Sequence, residues 1–193
     1  MKIVCLLGSP RQDGNSTTIA NRFIETTASL GAEIGTFKLN QLTYRGCQGC
    51  CTCKTTLDTC VQKDDLTEVL EEIKKADVVM LSTPVYCGDI PGQVKCFIDR
   101  MYSFVPGGYV GSQKPAVPRV PPGKKVVFII THGAPEGRLT DIPQRYENVL
   151  RRDLALAEFH LIDAGGVGPG GIPKGVPDKY LQQAEEVARA IMT

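Results

Sequence analysis

The sequence contains no tryptophan, and aromatic residues make up only 6% of it. Any flat ligand would therefore have to lie against tyrosine, phenylalanine or the backbone. The formal net charge is +1 at pH 7. This near balance argues against a nucleic acid or an anionic membrane as the main partner, because both attract strongly basic surfaces.

Long apolar runs are also missing. No stretch approaches the roughly 20 apolar residues that a helix needs to cross a bilayer. The opening segment, residues 1–8, is too short for the apolar region of a signal peptide and turns directly into a glycine loop. We therefore expect a cytoplasmic protein with no membrane partner. We also expect a single domain over residues 1–193, a usual length for one domain.

Cysteine is abundant, with eight in the chain and five of them within residues 44–63. Cys47, Cys50 and Cys53 stand at every third position, and Cys60 follows at a greater distance. Two-residue spacers let successive thiolates turn to one side of a loop, and a more distant cysteine can complete the coordination of an iron–sulfur cluster. The pattern predicts a cluster bound by these four cysteines.

Two other interpretations of the cysteine loop remain open. Structural zinc usually takes two separated pairs of ligands, which fits three evenly spaced cysteines and one outlier less well. Free thiols or redox disulfides are the other alternative, although lasting disulfides are disfavoured in a reducing compartment. The choice of Cys50 over the adjacent Cys51 depends only on the even spacing.

Strand and helix patterns alternate along the chain. Short apolar runs rich in β-branched residues predict buried strands, and apolar residues at helical spacing predict amphipathic helices. Strands are predicted at residues 2–7, 33–39, 78–81, 125–131 and 159–164, and helices at residues 17–30, 64–75, 91–104, 142–157 and 178–192. The alternation predicts an α/β fold with a doubly wound, five-stranded parallel sheet and helices on both faces.

The first predicted strand runs into a polar glycine loop, residues 8–18, that leads into a helix. Backbone N–H groups and the helix dipole hold phosphates in such loops, and Arg11 can add a charge-assisted bond. No lysine follows the second glycine and there is no GxGxxG pattern, so a phosphomonoester fits better than a nucleoside triphosphate or a dinucleotide. An ordinary capped loop is the alternative.

Further loops leave the sheet at the edge where α/β folds bind ligands. Residues 83–88 follow the third predicted strand, and Tyr86 could lie along a flat ring. His132 follows the fourth strand, where it either donates to a ligand carbonyl or faces solvent. Residues 166–171 match GxGxxG, but prolines interrupt the stretch and no helix begins there. We expect an ordinary loop near the cysteine loop instead.

Five segments follow one another along the chain in a fixed order. They are GSPRxxGNS after the first strand, GCxxCxxC, Asp64-Asp65, Ala76-Asp77 ahead of residues 83–86, and residues 95–100. Together they resemble the NAD(P)H-dependent FMN reductase-like flavoproteins, and within them the iron–sulfur flavoprotein branch. The resemblance is strong over about residues 1–104 and holds only by pattern beyond them.

The resemblance implies a flavodoxin-like fold, FMN at the carboxyl edge of the sheet, a nearby 4Fe–4S cluster, and a homodimer or dimer of dimers. It assigns the FMN phosphate to Ser9, Arg11, Asn15, Ser16 and Thr17. It places around the isoalloxazine ring Pro84, Val85, Tyr86, Cys87, Gly88, Thr131, Gly133 and Ala134. It assigns the cluster to Cys47, Cys50, Cys53 and Cys60.

The expected function is an FMN- and cluster-containing oxidoreductase that passes electrons between a reduced donor, ferredoxin or NAD(P)H, and an acceptor. No side chain is assigned as a general acid or base, because such a protein need only hold the cofactors and tune them. Two alternatives are an NAD(P)H-dependent FMN or quinone reductase without a cluster, and a zinc-stapled, non-enzymatic module of the same fold. The Pro/Gly-rich insertion at residues 105–124 is expected to cover the flavin or the cluster across a dimer.

Overall fold

The computed structural model of the chain describes residues 1–108, 117–168 and 175–193. Its strands are β1 (Lys2–Leu7), β2 (Glu33–Lys38), β3 (Val78–Pro84), β4 (Lys124–Thr131) and β5 (Leu156–Ala164). Its helices are α1 (Asn15–Ser29), α2 (Thr52–Thr55), α3 (Leu66–Lys75), α4 (Gly92–Met101), α5 (Asp141–Leu154) and α6 (Asp178–Met192). Among the described residues, no helix is both long and apolar enough to cross a membrane.

The five strands form one parallel sheet in the order β2-β1-β3-β4-β5. Buried side chains of α3, α4 and α5 pack on one face, and those of α1 and α6 pack on the other. Because both faces are covered, β3 and β4 are apolar along most of their length. The predicted flavodoxin-like, doubly wound fold is confirmed.

The strand order reverses between β1 and β3, and ligands of such sheets bind in the crevice outside the carboxyl ends of these strands. The backbone of Gly8 passes close to the neighbouring strand, since its N–H donates to the Ser82 carbonyl at 2.8 Å. A methyl group at Gly8 would lie 2.4 Å from Cγ2 of Val94 and 2.9 Å from the Ser82 oxygen. Glycine therefore lets the chain turn out of β1 directly into the crevice.

Element boundaries differ from the sequence prediction at several places, by three residues or fewer. The fifth helix ends at Leu154 rather than Ala157, because Ala155 takes a left-handed φ of 50° and β5 already begins at Leu156. A left-handed non-glycine residue leaves no local signal in the sequence. The last three residues predicted for α4 form a 3₁₀ turn. The short helix α2, inside the cysteine loop, was not predicted.

Asp64, just before α3 and inside the helix predicted over residues 64–75, has a structural role. Arg100, 1% exposed, donates from Nη1 to Oδ2 of Asp64 at 2.6 Å and from Nη2 to Oδ1 at 3.1 Å. Burial alone would raise the pKa of Asp64, but the bonds and charge of Arg100 outweigh it and hold that pKa below its usual range. The same guanidinium donates to the carbonyls of Arg45 at 2.9 Å and Gln62 at 3.2 Å. Arg100 thus ties both ends of the cysteine loop to α4.

Asp64→Ala is expected to lower the free energy of unfolding by about 3 kcal/mol, because it leaves the buried Arg100 cation without its partner. Asp99→Ala is a matched control, since Asp99 also lies 2.6 Å from a cation, Lys95, but both side chains are near half exposed. That surface pair is expected to contribute less than about 1 kcal/mol. Urea unfolding of both variants measures the difference, and equal losses would contradict the structural role of Arg100.

Candidate functional site

A cavity of about 500 Å³ opens at the carboxyl edge of the sheet, over the point where the strand order reverses. Loops after four strands contribute to it. The loop after β1 and the start of α1 supply Ser9, Arg11, Gly14, Asn15 and Ser16. The loops after β3, β4 and β5 supply Pro84, Val85, Tyr86, Cys87, Thr131, His132, Gly133, Val167 and Gly168.

One end of the cavity is the N-terminus of α1, where Gly14 precedes the first helical residue and provides no side-chain cap. The first turn carries no acidic residue, so the positive end of the helix dipole is not neutralised there. Ser16 is 1% exposed, and its Oγ has no hydrogen-bond partner among the described residues. A buried hydroxyl without a partner is costly. These features fit a phosphate group, whose oxygens would accept from Ser16 and the helix N–H groups.

The predicted phosphate residues do not all face the cavity. Ser9, Arg11, Asn15 and Ser16 line it, whereas Thr17 lines a separate cavity of about 110 Å³ on the other side of the loop. The Thr17 hydroxyl donates to the Arg11 carbonyl at 3.2 Å, so it braces the loop.

The other end of the cavity is bounded by a tight turn after β3. Tyr86 and Asp89 exchange backbone hydrogen bonds of 2.8 and 3.1 Å, and between them Cys87 and Gly88 have φ of 49° and 83°. Two consecutive positive φ values are typical of a type I′ turn. The hydroxyl of Tyr146 donates to Asp89 at 2.9 Å and fixes the turn to α5. The turn presents Tyr86, 40% exposed, beside the cavity, while Gly88 lies at its tip.

The His132 side chain neither faces solvent nor offers a free donor to a ligand, which were its two expected roles. It is 4% exposed, so it does not face solvent. Its Nδ1 lies 2.9 Å from the Ala134 carbonyl and its Nε2 lies 2.8 Å from Oδ1 of Asp163. Because both ring nitrogens contact protein oxygens, His132 shapes the loop after β4 rather than offering a free donor to a ligand. The Ala134 carbonyl is directed at this ring, while the neighbouring Gly133 lines the cavity.

The loop after β5 is a contributor that the sequence analysis missed. The N–H groups of Gly166 and Val167 donate to the carbonyls of Ala134 at 2.7 Å and His132 at 3.0 Å. The described part of the predicted GxGxxG loop therefore lies against the cavity, not near the cysteine loop as expected. Residues 169–174 lie outside the described residues. A glycine run lies directly after a strand, at the sheet edge where α/β folds bind ligands, and could have indicated this contribution to the cavity from the sequence.

The cysteine loop forms a second, smaller cavity of about 40 Å³. All four predicted ligands line it, which are Cys47, Cys50, Cys53 and Cys60, together with Cys51. All eight cysteines of the chain are free thiols. The structure therefore brings the predicted ligand set together around one space.

The thiols of Cys53 and Cys50 have pKa values shifted in opposite directions. Burial raises the pKa of the Cys53 thiol, Lys54 lowers it, and the thiols of Cys60, Cys47 and Cys50 raise it as nearby charges. The Thr52 hydroxyl lies 3.5 Å from the Cys50 sulfur and lowers the pKa of that thiol. Cys50 and Cys51 both line the cavity, so the choice of Cys50 remains a prediction from the cysteine spacing.

The same thiols do not form a site for one metal ion. Within the described ranges, no three His, Cys, Asp or Glu side chains are close enough to hold a single ion. Zinc bound by thiolates at about 2.3 Å would draw their sulfurs to within roughly 4 Å of one another. In a 4Fe–4S cluster each thiolate binds a different iron, so the sulfurs need not converge on one point. The four predicted ligands therefore share one cavity without forming a site for a single ion.

Side chains on both sides fasten the far half of the cysteine loop. The Lys54 ammonium donates to the carbonyls of Tyr102 and Val105 and lies 3.5 Å from the centre of the Tyr102 ring. Arg119 donates to the Cys53 carbonyl at 2.7 Å. The described ends of the predicted insertion thus pack on the cysteine loop, whereas residues 109–116 lie outside the described residues.

A family model described as NADPH-dependent FMN reductase matches residues 1–165. The chain belongs to this family. The family assignment confirms the predicted class, an FMN-dependent oxidoreductase. The large cavity has at one end a helix N-terminus whose features fit a phosphate group.

Two curated relatives of the chain are named as iron–sulfur flavoproteins. An "Iron-sulfur flavoprotein" of Archaeoglobus fulgidus is 30% identical over 192 residues, which are 99% of this chain and 79% of that protein. An "Iron-sulfur flavoprotein" of Methanosarcina thermophila is 34% identical over 100 residues, which are 52% of each. The chain thus spans only about half the length of the second relative.

Two solved structures of similar fold are named as oxidoreductases. An NAD(P)H:quinone oxidoreductase from Methanothermobacter marburgensis has a TM-score of 0.75 at 20% identity, covering 99% of this chain and 96% of that one. An FMN-dependent NADH-azoreductase from Bacillus anthracis, in complex with FMN, has a TM-score of 0.74 at 16% identity, covering 100% of both chains. At these identities the likeness shows the fold.

Gly168→Ala is expected to weaken FMN binding about tenfold. The added methyl would lie 2.7 Å from the Gly133 Cα and 3.0 Å from its nitrogen, so two loops lining the cavity would have to separate. Overpacking of this kind costs about 1–3 kcal/mol, and 1.4 kcal/mol is tenfold in affinity. Gly92→Ala is the control, because the same methyl there meets nothing within 4 Å. Flavin titration measures both, and an unchanged affinity in Gly168→Ala would contradict the role of the loop after β5.

Proposed function

We propose that the protein is an FMN- and iron–sulfur-cluster-containing oxidoreductase that transfers electrons between a reduced donor and an acceptor. The observation that carries the proposal is the convergence of Cys47, Cys50, Cys53 and Cys60 on one cavity in a chain of an FMN-dependent family. The names of its curated relatives, iron-sulfur flavoproteins, support the same combination.

The loop after β1 would hold the FMN phosphate. Ser16 would donate its unpartnered hydroxyl, and the helix N–H groups would donate alongside it. Arg11, on the rim of the cavity, would add a charge-assisted bond. Ser9 and Asn15 remain proposed contacts. Thr17 would contribute through its backbone N–H, because its hydroxyl is used within the loop.

The loops after β3 and β4 would hold the flavin ring. The proposed ring contacts are Pro84, Val85, Tyr86, Cys87, Gly88, Thr131, Gly133 and Ala134. With no tryptophan in the chain, Tyr86 is the aromatic side chain that would cover the ring. The turn that carries it is fixed to α5, so the ring position would be set before the ligand arrives.

The cysteine loop would hold a 4Fe–4S cluster through the four thiols that line its cavity. When bound, FMN would exchange one or two electrons and the cluster one at a time, so that the pair would couple two-electron to one-electron chemistry. The side chains themselves hold, orient and shield the cofactors, and none is assigned as an acid or base. Ferredoxin or NAD(P)H is the proposed donor, and a homodimer or dimer of dimers is the proposed assembly.

A second candidate function is an NAD(P)H-dependent FMN or quinone reductase without a cluster. It is favoured by the family description, which names NADPH and no metal. It is also favoured by the similar solved structures, which are named as an azoreductase and a quinone oxidoreductase. Under this function the cysteines would be idle. Fast NAD(P)H oxidation that survives replacement of Cys47 and Cys53 would support it.

A reductive titration under anaerobic conditions separates the two functions. FMN alone takes up two electrons, whereas FMN with a one-electron cluster takes up about three per chain. We expect about three reducing equivalents per bound FMN before the spectrum stops changing. An end point at two would reject the cluster and favour the simple reductase.

A further inference from the structure

Arg100 has a donor that its structural role leaves unused. Its Nη atoms bond to Asp64 and to two backbone carbonyls, but its Nε is buried and has no hydrogen-bond partner within the described part of the chain. The side chain is 1% exposed and ranks among the largest of those fully buried. A buried N–H of a cation without a partner is costly, so its persistence needs an explanation.

The unused donor is beside the cysteine site. Arg100 and Cys60 both line the small cavity formed by the cysteine loop, and both also line a cavity of about 270 Å³ on its outer side. Both residues therefore face the space that the cysteine thiols surround.

We infer that Arg100 is a positioning residue that directs its Nε–H and its positive charge at the Cys60 sulfur and so raises the reduction potential of the site that this thiolate ligates. Hydrogen bonds to ligating sulfurs and nearby charge are among the factors that set the potentials of iron–sulfur sites. A donor and a cation beside a ligating thiolate stabilise the reduced form, because that form carries one more negative charge. The inference rests on the proposed function.

The other bonds of the guanidinium fix the orientation of the Arg100 Nε–H. Because the two Nη atoms are held by Asp64 and by the ends of the cysteine loop, the guanidinium plane is fixed in orientation. Arginine presents donors in a rigid fork, so fixing two nitrogens also fixes the third. A lysine at position 100 could retain a charge near Asp64 but could not hold both loop ends and reach Cys60 at once.

The test is the midpoint potential of the bound cluster, measured by redox titration followed by electron paramagnetic resonance. The main variant is the double substitution Asp64→Asn with Arg100→Gln, which replaces the buried ion pair by a neutral hydrogen-bonding pair and avoids an unpaired buried charge. We expect at least a tenfold weaker preference for the reduced state, equivalent to a midpoint about 59 mV lower. Arg100→Lys, which keeps the charge, is expected to lower the midpoint by less.

Asp64→Asn alone is the matched control, because it leaves the guanidinium and its Nε in place. Its midpoint is expected to be no lower than that of the unaltered protein, even if its stability falls. A double variant that binds the full amount of iron and keeps the unaltered midpoint would overturn the inference. So would a double variant that binds FMN but no iron, since Arg100 would then act in assembly. If the unaltered protein takes up no iron, the proposed function itself fails, and this outcome is distinct from the other two.

Discussion

Cys53→Ser is expected to remove the bound iron almost completely, from about four irons per chain to fewer than one. Cys53 lines the same cavity as the other three proposed ligands, Cys47, Cys50 and Cys60. A serine hydroxyl is a much poorer ligand for iron in a sulfur cluster than a thiolate. Iron and sulfide analysis after anaerobic reconstitution measures the loss.

Cys51→Ser is the matched control, because it makes the same chemical change two positions away in the same loop. The Cys51 thiol turns back to the Gly49 carbonyl at 3.5 Å, so its loss is expected to leave the iron content near the unaltered value. Both variants should retain FMN, whose cavity is formed by other loops. Equal iron loss in the two variants would contradict the assignment of Cys50 and Cys53 over Cys51.

Ser16→Asp is expected to weaken FMN binding by at least about a thousandfold. The substitution removes the buried hydroxyl donor and places a carboxylate where the phosphate would bind. Two like charges about 4 Å apart repel by about 4 kcal/mol at an effective dielectric constant of about 20, and this corresponds to about a thousandfold in affinity. Titration of flavin-free protein with FMN, followed by flavin fluorescence, measures the change.

The same substitution is expected to leave the ligand-free protein folded. The first turn of α1 has no acid, and the helix dipole favours a carboxylate there by about 0.3–1 kcal/mol. Because Ser16 is 1% exposed, this gain offsets only part of the cost of burying the carboxylate, so we expect a modest loss of stability without FMN. Thr18→Asp, on the exposed side of the same turn, is the control and should weaken FMN binding by less than about tenfold because solvent ions screen its charge. Loss of FMN binding in both variants would contradict the phosphate assignment.

Features that depend on local pattern could be predicted from the sequence. Alternating strands and helices give the parallel sheet, and the handedness of the connections leaves few strand orders to consider. The glycine loop after β1 and the spacing of the cysteines are likewise contiguous in the chain. The structure places Ser16 at the helix start and Cys47, Cys50, Cys53 and Cys60 around one cavity, while their roles as ligands remain predictions.

Features that depend on contacts between distant residues could not be predicted. Arg100 and Asp64 are 36 positions apart, and each has an ordinary surface interpretation when considered alone. His132 and Asp163 are 31 positions apart, and only their pairing shows that the histidine is buried and engaged. The loop after β5 reaches the cavity because Gly168 permits close contact with Gly133. The spacing of apolar residues in the sequence does not indicate this contact. These three contacts are determined by how distant segments pack together in the folded chain.

The central claim, that one chain holds both FMN and an iron–sulfur cluster, is tested most directly by composition. The protein would be purified without oxygen and reconstituted with iron and sulfide, and its iron, sulfide, zinc and flavin would be counted per chain. The account predicts about four irons, about four sulfides and one FMN, with no stoichiometric zinc. FMN without iron, or zinc in place of iron, would contradict it and reduce the cysteine loop to thiols or to a structural zinc site.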